Sequence, residues 1–202
     1  MRRLTEKRLV IATHNEGKRA EIADLLAPFG IEVTSAAACG LPVPEETEET
    51  FVGNARIKAH AAAKATGLIA LADDSGLEIE GLDGAPGVHT ADWAETPHGR
   101  DFEHAMERAW RALEARAIPE PRKAHFVCAL VLAWPDGAEE VFEGSISGRI
   151  VWPMRGERGH GYDPIFQPEG FTQTFAEMDR WEKNRMSHRG RAFDLLRDAL
   201  LG

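Results

Sequence analysis

Two adjacent carboxylates, Asp73-Asp74, close the apolar run Leu68-Ile69-Ala70-Leu71-Ala72 and are followed by Ser75-Gly76. The end of a buried strand is where open α/β sheets hold their ligands. Mg²⁺ takes oxygen donors of this kind, commonly one or two carboxylates together with substrate phosphates. Neighbours on an extended strand point to opposite faces, so one aspartate is expected to enter a site while the other braces the chain. The blander alternative is an Asx-turn, in which the side chain bonds only the backbone that follows. For Asp-Asp-Ser-Gly taken alone, that is the stronger reading.

Three more stretches carry chemistry. Thr13-His14-Asn15-Glu16-Gly17-Lys18 sits where a strand hands over to a helix. N–H groups at a helix start favour an anion and Lys18 adds a full charge, so a phosphate suits the place. The glycine spacing of a Walker A loop is absent, and an ordinary turn capped by Thr13 or Asn15 is the competing reading. The acidic loop Glu45-Glu46-Thr47-Glu48-Glu49 reads mostly as a solvated face, from which one glutamate could complete a metal site. The fourth stretch is Arg155 to Asp163 together with Glu182 to Arg191. Between Arg180 and Arg191 the cations Arg180, Lys183, Arg185, Arg189 and Arg191 face Glu182 alone, a local reversal of sign that points to phosphate and base recognition. The alternatives there are a basic surface turn ahead of a helix, and a glycine-rich hairpin in which His160 and Tyr162 merely pack.

The elements that must position these residues follow from periodicity. Leu9 to Ala12 reads as a buried strand, and Ile22, Leu25, Leu26 and Phe29 as the stripe of a helix from Lys18 that Gly30 stops. Ile31 to Val33 is expected to be a strand, Leu41 to Glu49 a loop, and the alanine-rich Phe51 to Thr66 a helix closed by Gly67. Leu68 to Ala72 and Leu77 to Glu80 read as two separate strands flanking the aspartates, and Gly81 to Gly87 as a turn-rich connector. A helix is expected over Asp101 to Ala117, with Ala105, Met106, Ala109, Trp110 and Leu113 facing inward. Phe126 to Trp134 and Glu139 to Phe142 form a hairpin around Pro135-Asp136-Gly137, extended by Ile146 to Val151. Trp152 to Gly170 is irregular, and an amphipathic helix over Arg191 to Leu201, starting near Ser187, closes the chain.

The order is mixed α/β, with no internal repeat or Gly/Ser linker, so residues 1–202 read as one folding unit. A formal net charge of -9 argues against a nucleic-acid-coating protein. No window reaches membrane-span length, and Met1-Arg2-Arg3 is followed by charged residues, so neither a membrane segment nor a secretory signal is expected. The two cysteines, Cys39 and Cys128, have neither metal-site spacing nor the density of a disulfide scaffold, consistent with a cytoplasmic protein.

Taken together, the motifs resemble the inosine triphosphate pyrophosphatase family over nearly the whole chain. The resemblance is carried by Thr13-x-Asn15-x-x-Lys18, Thr50-Phe51-x-x-Asn54-Ala55-x-x-Lys58-Ala59, Ala72-Asp73-Asp74-Ser75-Gly76-Leu77, Gly84-Ala85-Pro86-Gly87-Val88 and Gly161-Tyr162-Asp163-Pro164-Ile165-Phe166. The ending Glu182-Lys183-Asn184 then Ser187-His188-Arg189-Gly190 is the most specific piece. The resemblance implies an α/β fold in which an elongated mixed β-sheet and flanking helices form two lobes around a substrate cleft, usually as a homodimer. It also implies Mg²⁺-dependent hydrolysis of ITP, dITP and XTP to the monophosphate and pyrophosphate, clearing non-standard purines from the nucleotide pool.

Carried over by residue, the resemblance makes Thr13, His14, Asn15, Glu16, Gly17 and Lys18 a phosphate-binding loop. Asp74 becomes the catalytic carboxylate that also meets the metal, joined by Glu45 or Glu46. Ser75 and Lys58 would contact substrate, as would His160, Gly161, Tyr162, Asp163, Lys183, His188 and Arg189. His160 stands where the family commonly has a Phe that stacks on the purine, and an imidazole is flat enough to do the same. The readings set against this one are a Maf-like pyrophosphatase with another base preference and a non-catalytic nucleotide-binding protein.

Overall fold

The computed structural model describes residues 2–201. In chain order its strands and helices are β1 (Arg8–Ile11), α1 (Glu16–Leu26), β2 (Glu32–Ser35), α2 (Phe51–Thr66), β3 (Ile69–Ile79), β4 (Glu95–Thr96), β5 (Gly99–Arg100), α3 (Phe102–Ala115), β6 (Arg122–Ala133), β7 (Glu139–Ile150), β8 (Phe166–Pro168), α4 (Arg180–Met186) and α5 (His188–Leu196). A six-stranded mixed sheet runs in the order β2-β1-β3-β6-β7-β8, and β4 and β5 form a separate small ribbon. β1 pairs parallel with β2, Arg8 opposite Glu32, and parallel with β3, Leu9 opposite Ile69. β7 pairs antiparallel with β8. Parallel strands are buried on both faces, which is why β1 is the uninterrupted apolar run Leu9-Val10-Ile11.

The chain divides into two compact units. Unit 1 is residues 1–74, 128–144 and 189–202, and unit 2 is residues 75–127 and 145–188. Unit 1 closes over Leu9 and Ile11, Ile22 and Leu26 of α1, Leu71, Leu130, Trp134, and Phe193 and Leu196 of α5. Unit 2 has its own core, in which Leu77 and Ile79 meet Met106, Ala109 and Leu113 of α3, with Phe126, Ile150, Phe166 and Phe175. β3, β6 and β7 each begin in one unit and end in the other.

Local chemistry sets the helix ends. Asn15 caps α1 by accepting from the Lys18 N–H, Thr50 caps α2 through the Gly53 N–H, and Asp101 caps α3 through Glu103 and His104. α2 stops at Gly67, whose φ of 68° is the left-handed value that a Cβ disfavours. Trp110 is only half-buried and stacks on Trp152 with ring centroids 5.6 Å apart, at the edge of the inward stripe. No helix is long and apolar enough to cross a membrane among the described residues.

Several elements differ from the sequence reading: β8 lies inside the stretch from Trp152 to Gly170 expected to be irregular, and β4 and β5 stand where no strand was expected. The two strands expected around Asp73-Asp74 are one strand, β3, so the aspartates lie within an extended run rather than at its end. Charged residues at its middle imitate a strand end in sequence, but cations from other elements meet them there. β7 is likewise continuous from Glu139 to Ile150. The closing helix α5 starts at His188, beside the expected entry at Ser187, and gives way to a π-helical turn over Arg197–Leu201, while a further helix not expected from the sequence, α4, is capped by Asp179 and stops at Ser187.

Candidate active site

In unit 1 the two aspartates do separate jobs. The Asp73 side chain is fully buried and divides its oxygens. Oδ1 lies 2.7 Å from Lys18 Nζ. Oδ2 accepts from Arg189 Nη2 at 3.0 Å, from Arg189 Nε at 3.2 Å and from Cys128 Sγ at 3.2 Å. Arg189, itself 1% exposed, also donates through Nη1 to Glu21 of α1. Burial alone would raise the Asp73 pKa, but Arg189, Lys18 and Lys58 outweigh it and hold the carboxyl well below its usual range. The same burial, with Asp73 alongside, pushes the Cys128 thiol well above its usual value, so it stays a neutral donor.

Asp74, on the opposite face of the strand, accepts from Lys58 Nζ at 2.8 Å through Oδ1. Lys58 also donates to Glu46 Oε1 at 2.9 Å, so α2 joins β3 to the acidic loop. The second Asp74 oxygen, Oδ2, is buried without a hydrogen-bond partner among the described residues. A buried acceptor left without a donor is costly, so this oxygen is open to a further hydrogen bond or ligand. Burial raises the Asp74 pKa from its usual value, against the pull of Lys58 and Lys18. Lys58 is also buried, which disfavours its charge, yet Asp74, Glu46 and Asp73 together lift its pKa above the usual value.

The strand-to-helix turn lies in the same unit. Thr13 is buried and its Oγ1 accepts from the Asn15 N–H at 3.1 Å, while Asn15 Oδ1 accepts from the Lys18 N–H at 3.0 Å. His14 is exposed, its Nε2 3.0 Å from the carbonyl of Leu41. Glu16 points outward and pairs with Arg19, and Gly17 is half-buried in the first turn. Of the two candidate glutamates of the acidic loop, Glu46 reaches Lys58, and Glu45 is exposed.

Unit 2 holds the remaining candidates. Asp163 is buried and its Oδ2 accepts from Lys183 Nζ at 2.6 Å and from the His160 N–H at 2.8 Å. That close approach is possible because residue 159 is glycine: a Cβ there would stand 2.0 Å from Asp163 Oδ2, and its φ is 76°. Tyr162 is buried, donates to the Thr90 carbonyl at 3.1 Å and meets Phe102 edge-on. His188 is buried and stacks on Phe126, centroids 4.8 Å apart and planes within 12°. His160, Gly161 and Ser75 are half-buried.

The neighbours His188 and Arg189 belong to different units. Neither Glu21 nor Cys128 was a site candidate in the sequence reading, yet both hold the Asp73–Arg189 pair. Glu21 was discoverable, since it lies three positions after Lys18 on the same helix face. Cys128 carried no signal, being one small residue in an apolar strand. Among the described residues, no group of three or more His, Cys, Asp or Glu side chains is placed to hold a metal.

A family model described as the Ham1 family matches residues 9–199. A dITP/XTP pyrophosphatase of Ruegeria pomeroyi is 68% identical over 186 residues, covering 92% of this chain and 91% of that one. One of Rhizobium meliloti is 53% identical over 213 residues and covers all of both. The solved structure of a HAM1 protein from Coxiella burnetii matches with a TM-score of 0.86 at 39% identity, covering 96% of this chain and 98% of that one.

Proposed function

Because the chain belongs to the Ham1 family, we propose that it hydrolyses non-standard purine nucleoside triphosphates, ITP, dITP and XTP, to the monophosphate and pyrophosphate. The observation that carries the chemistry is Asp74: one oxygen on Lys58, the other buried and without a partner among the described residues, in the same unit as the turn that carries Lys18.

The residues fit Mg²⁺. Asp74 Oδ2 is a hard donor without a partner of its own among the described residues, and Glu46 supplies a second carboxylate through their shared neighbour Lys58. Two carboxylates plus substrate phosphates are a common Mg²⁺ donor set. When bound by Asp74 and Glu46, the ion would neutralise phosphate charge and polarise the bond to be cut.

The remaining steps belong to side chains. Asp74, whose basicity burial raises, takes the proton from an attacking water. A new phosphorus–oxygen bond forms as the α–β anhydride breaks and pyrophosphate departs. Lys58 and Lys18 stabilise the charge that builds on the phosphate oxygens. Asp73 keeps Lys18 in place, while Arg189, Glu21 and Cys128 keep Asp73 in place. For the nucleotide, the family resemblance assigns Ser75, His160, Gly161, Tyr162, Asp163, Lys183 and His188. A pocket made for a 6-oxo group rejects adenine by leaving buried donors unpaired.

A panel of nucleoside triphosphates with Mg²⁺, scored separately for pyrophosphate and orthophosphate, tests the reading. ITP, dITP and XTP should release pyrophosphate far faster than ATP. Orthophosphate as the primary product would move the cut to another bond and overturn it.

A further inference from the structure

The acidic loop before α2 has no regular secondary structure, and Glu45, Glu46, Glu48 and Glu49 stand within five positions. Their mutual repulsion pushes such a segment away from any fixed arrangement. Besides the Glu46 carboxylate on Lys58, it is tied down by its backbone at Glu48. The Glu48 N–H donates to Asn54 Oδ1 at 3.0 Å, and Asn54 Nδ2 donates to the Glu48 carbonyl at 3.0 Å. The amide thus closes a two-bond ring on the backbone of one residue, as a neighbouring strand would. Asn54 is 2% exposed.

The helix surface beside it is shaped to admit the loop. A Cβ on Gly53 would stand 2.6 Å from the Cβ of Glu48, so the base of the Glu48 side chain rests where only glycine leaves room. Asn54 and Lys58 are four apart and share one face of α2. One turn holds the loop by its backbone, and the next receives the Glu46 carboxylate together with Asp74.

We propose that Asn54 is a positioning residue: its side-chain amide, seated against Gly53, fixes the acidic loop at Glu48 and so sets where Glu46 stands relative to Lys58 and Asp74. Its consequence for catalysis rests on the reading of Glu46 and Asp74 as the magnesium carboxylates; the clamp itself does not.

The test reads loop order and magnesium requirement separately. Asn54→Ala removes both bonds, and Asn54→Asp keeps the size and the acceptor but removes the donor. Gly53→Ala attacks the seat from the other side, leaves the amide in place and favours the helix, so it keeps the fold if an Asn54 variant loses it. Native proteolysis with a glutamyl endopeptidase, which cuts after Glu45, Glu46, Glu48 or Glu49, should speed up about tenfold in Asn54→Ala, as expected for two lost hydrogen bonds when cleavage follows loop opening. Half-maximal turnover should need more Mg²⁺, while kcat at saturating Mg²⁺ stays near the original. A residue that only supports the helix would lower the melting temperature and leave the magnesium requirement alone.

Unchanged loop cleavage in folded Asn54→Ala or Gly53→Ala protein overturns the proposal. Faster cleavage with an unmoved magnesium requirement sustains the clamp and counts against Glu46 as a metal carboxylate.

Discussion

At the scale of the residue, two neighbouring aspartates differ because a strand sends them to opposite faces. Asp73 has both oxygens engaged, by Lys18 on one side and by Arg189 and Cys128 on the other. A buried carboxylate so fully met is a fixture, and its depressed pKa keeps it charged. Asp74 has one oxygen without a hydrogen-bond partner among the described residues, which suits a group that must meet water or a cation. Asp74→Asn preserves the size and the bond to Lys58 but removes the base, so kcat for ITP should fall at least ~100-fold with the circular-dichroism spectrum intact. Turnover within a few-fold of the original would remove Asp74 from the chemistry. The sequence supplied both candidates and the argument that only one would enter a site. It did not supply the cations that tell them apart, because Lys18, Lys58 and Arg189 lie 55, 16 and 116 positions from their carboxylates.

At the scale of the element, legibility followed local chemistry. α2 was readable from end to end, since its start at Thr50 and stop at Gly67 are properties of single residues. Gly67 is in the left-handed region with nothing within 4 Å of a Cβ placed on it. Gly67→Ala therefore adds backbone strain of roughly 1 kcal/mol and no clash. A fall of about 2–4 °C in melting temperature with unchanged turnover is the expected outcome. A larger loss of stability would mean that the helix end makes contacts beyond its own cap. β3 was misread for the opposite reason. Its continuity through Asp73-Asp74-Ser75-Gly76 depends on partners that neutralise the charges, and no local pattern encodes those. α4 escaped notice because seven residues are too short to show a period.

At the scale of the whole molecule, each unit folds around its own apolar cluster, and neither cluster includes Asp74, Glu46 or Lys58. Asp74 and Glu46 share the one lysine Lys58, and Glu46 is exposed to solvent, so the fold does not depend on a metal to hold these carboxylates. Chelation with EDTA should accordingly abolish turnover, restored by added Mg²⁺, while the melting temperature of the free protein moves by less than about 2 °C. Each degree corresponds to only a fraction of a kcal/mol for a protein of this size. A large fall in melting temperature on chelation would show that a metal holds the fold itself.

The sequence by itself determined the α/β class, most helix limits, the identity of the candidate carboxylates and cations, and the family resemblance, since these rest on residue types and short-range spacing. Tertiary structure alone decided that Asp73 and Asp74 have different partners, that Glu46 rather than Glu45 meets Lys58, and that Asn54 holds the loop that carries Glu46. Those outcomes depend on burial and on charges brought together from distant positions, and the free energy of a buried charge is set by its neighbours in space rather than its neighbours in the chain.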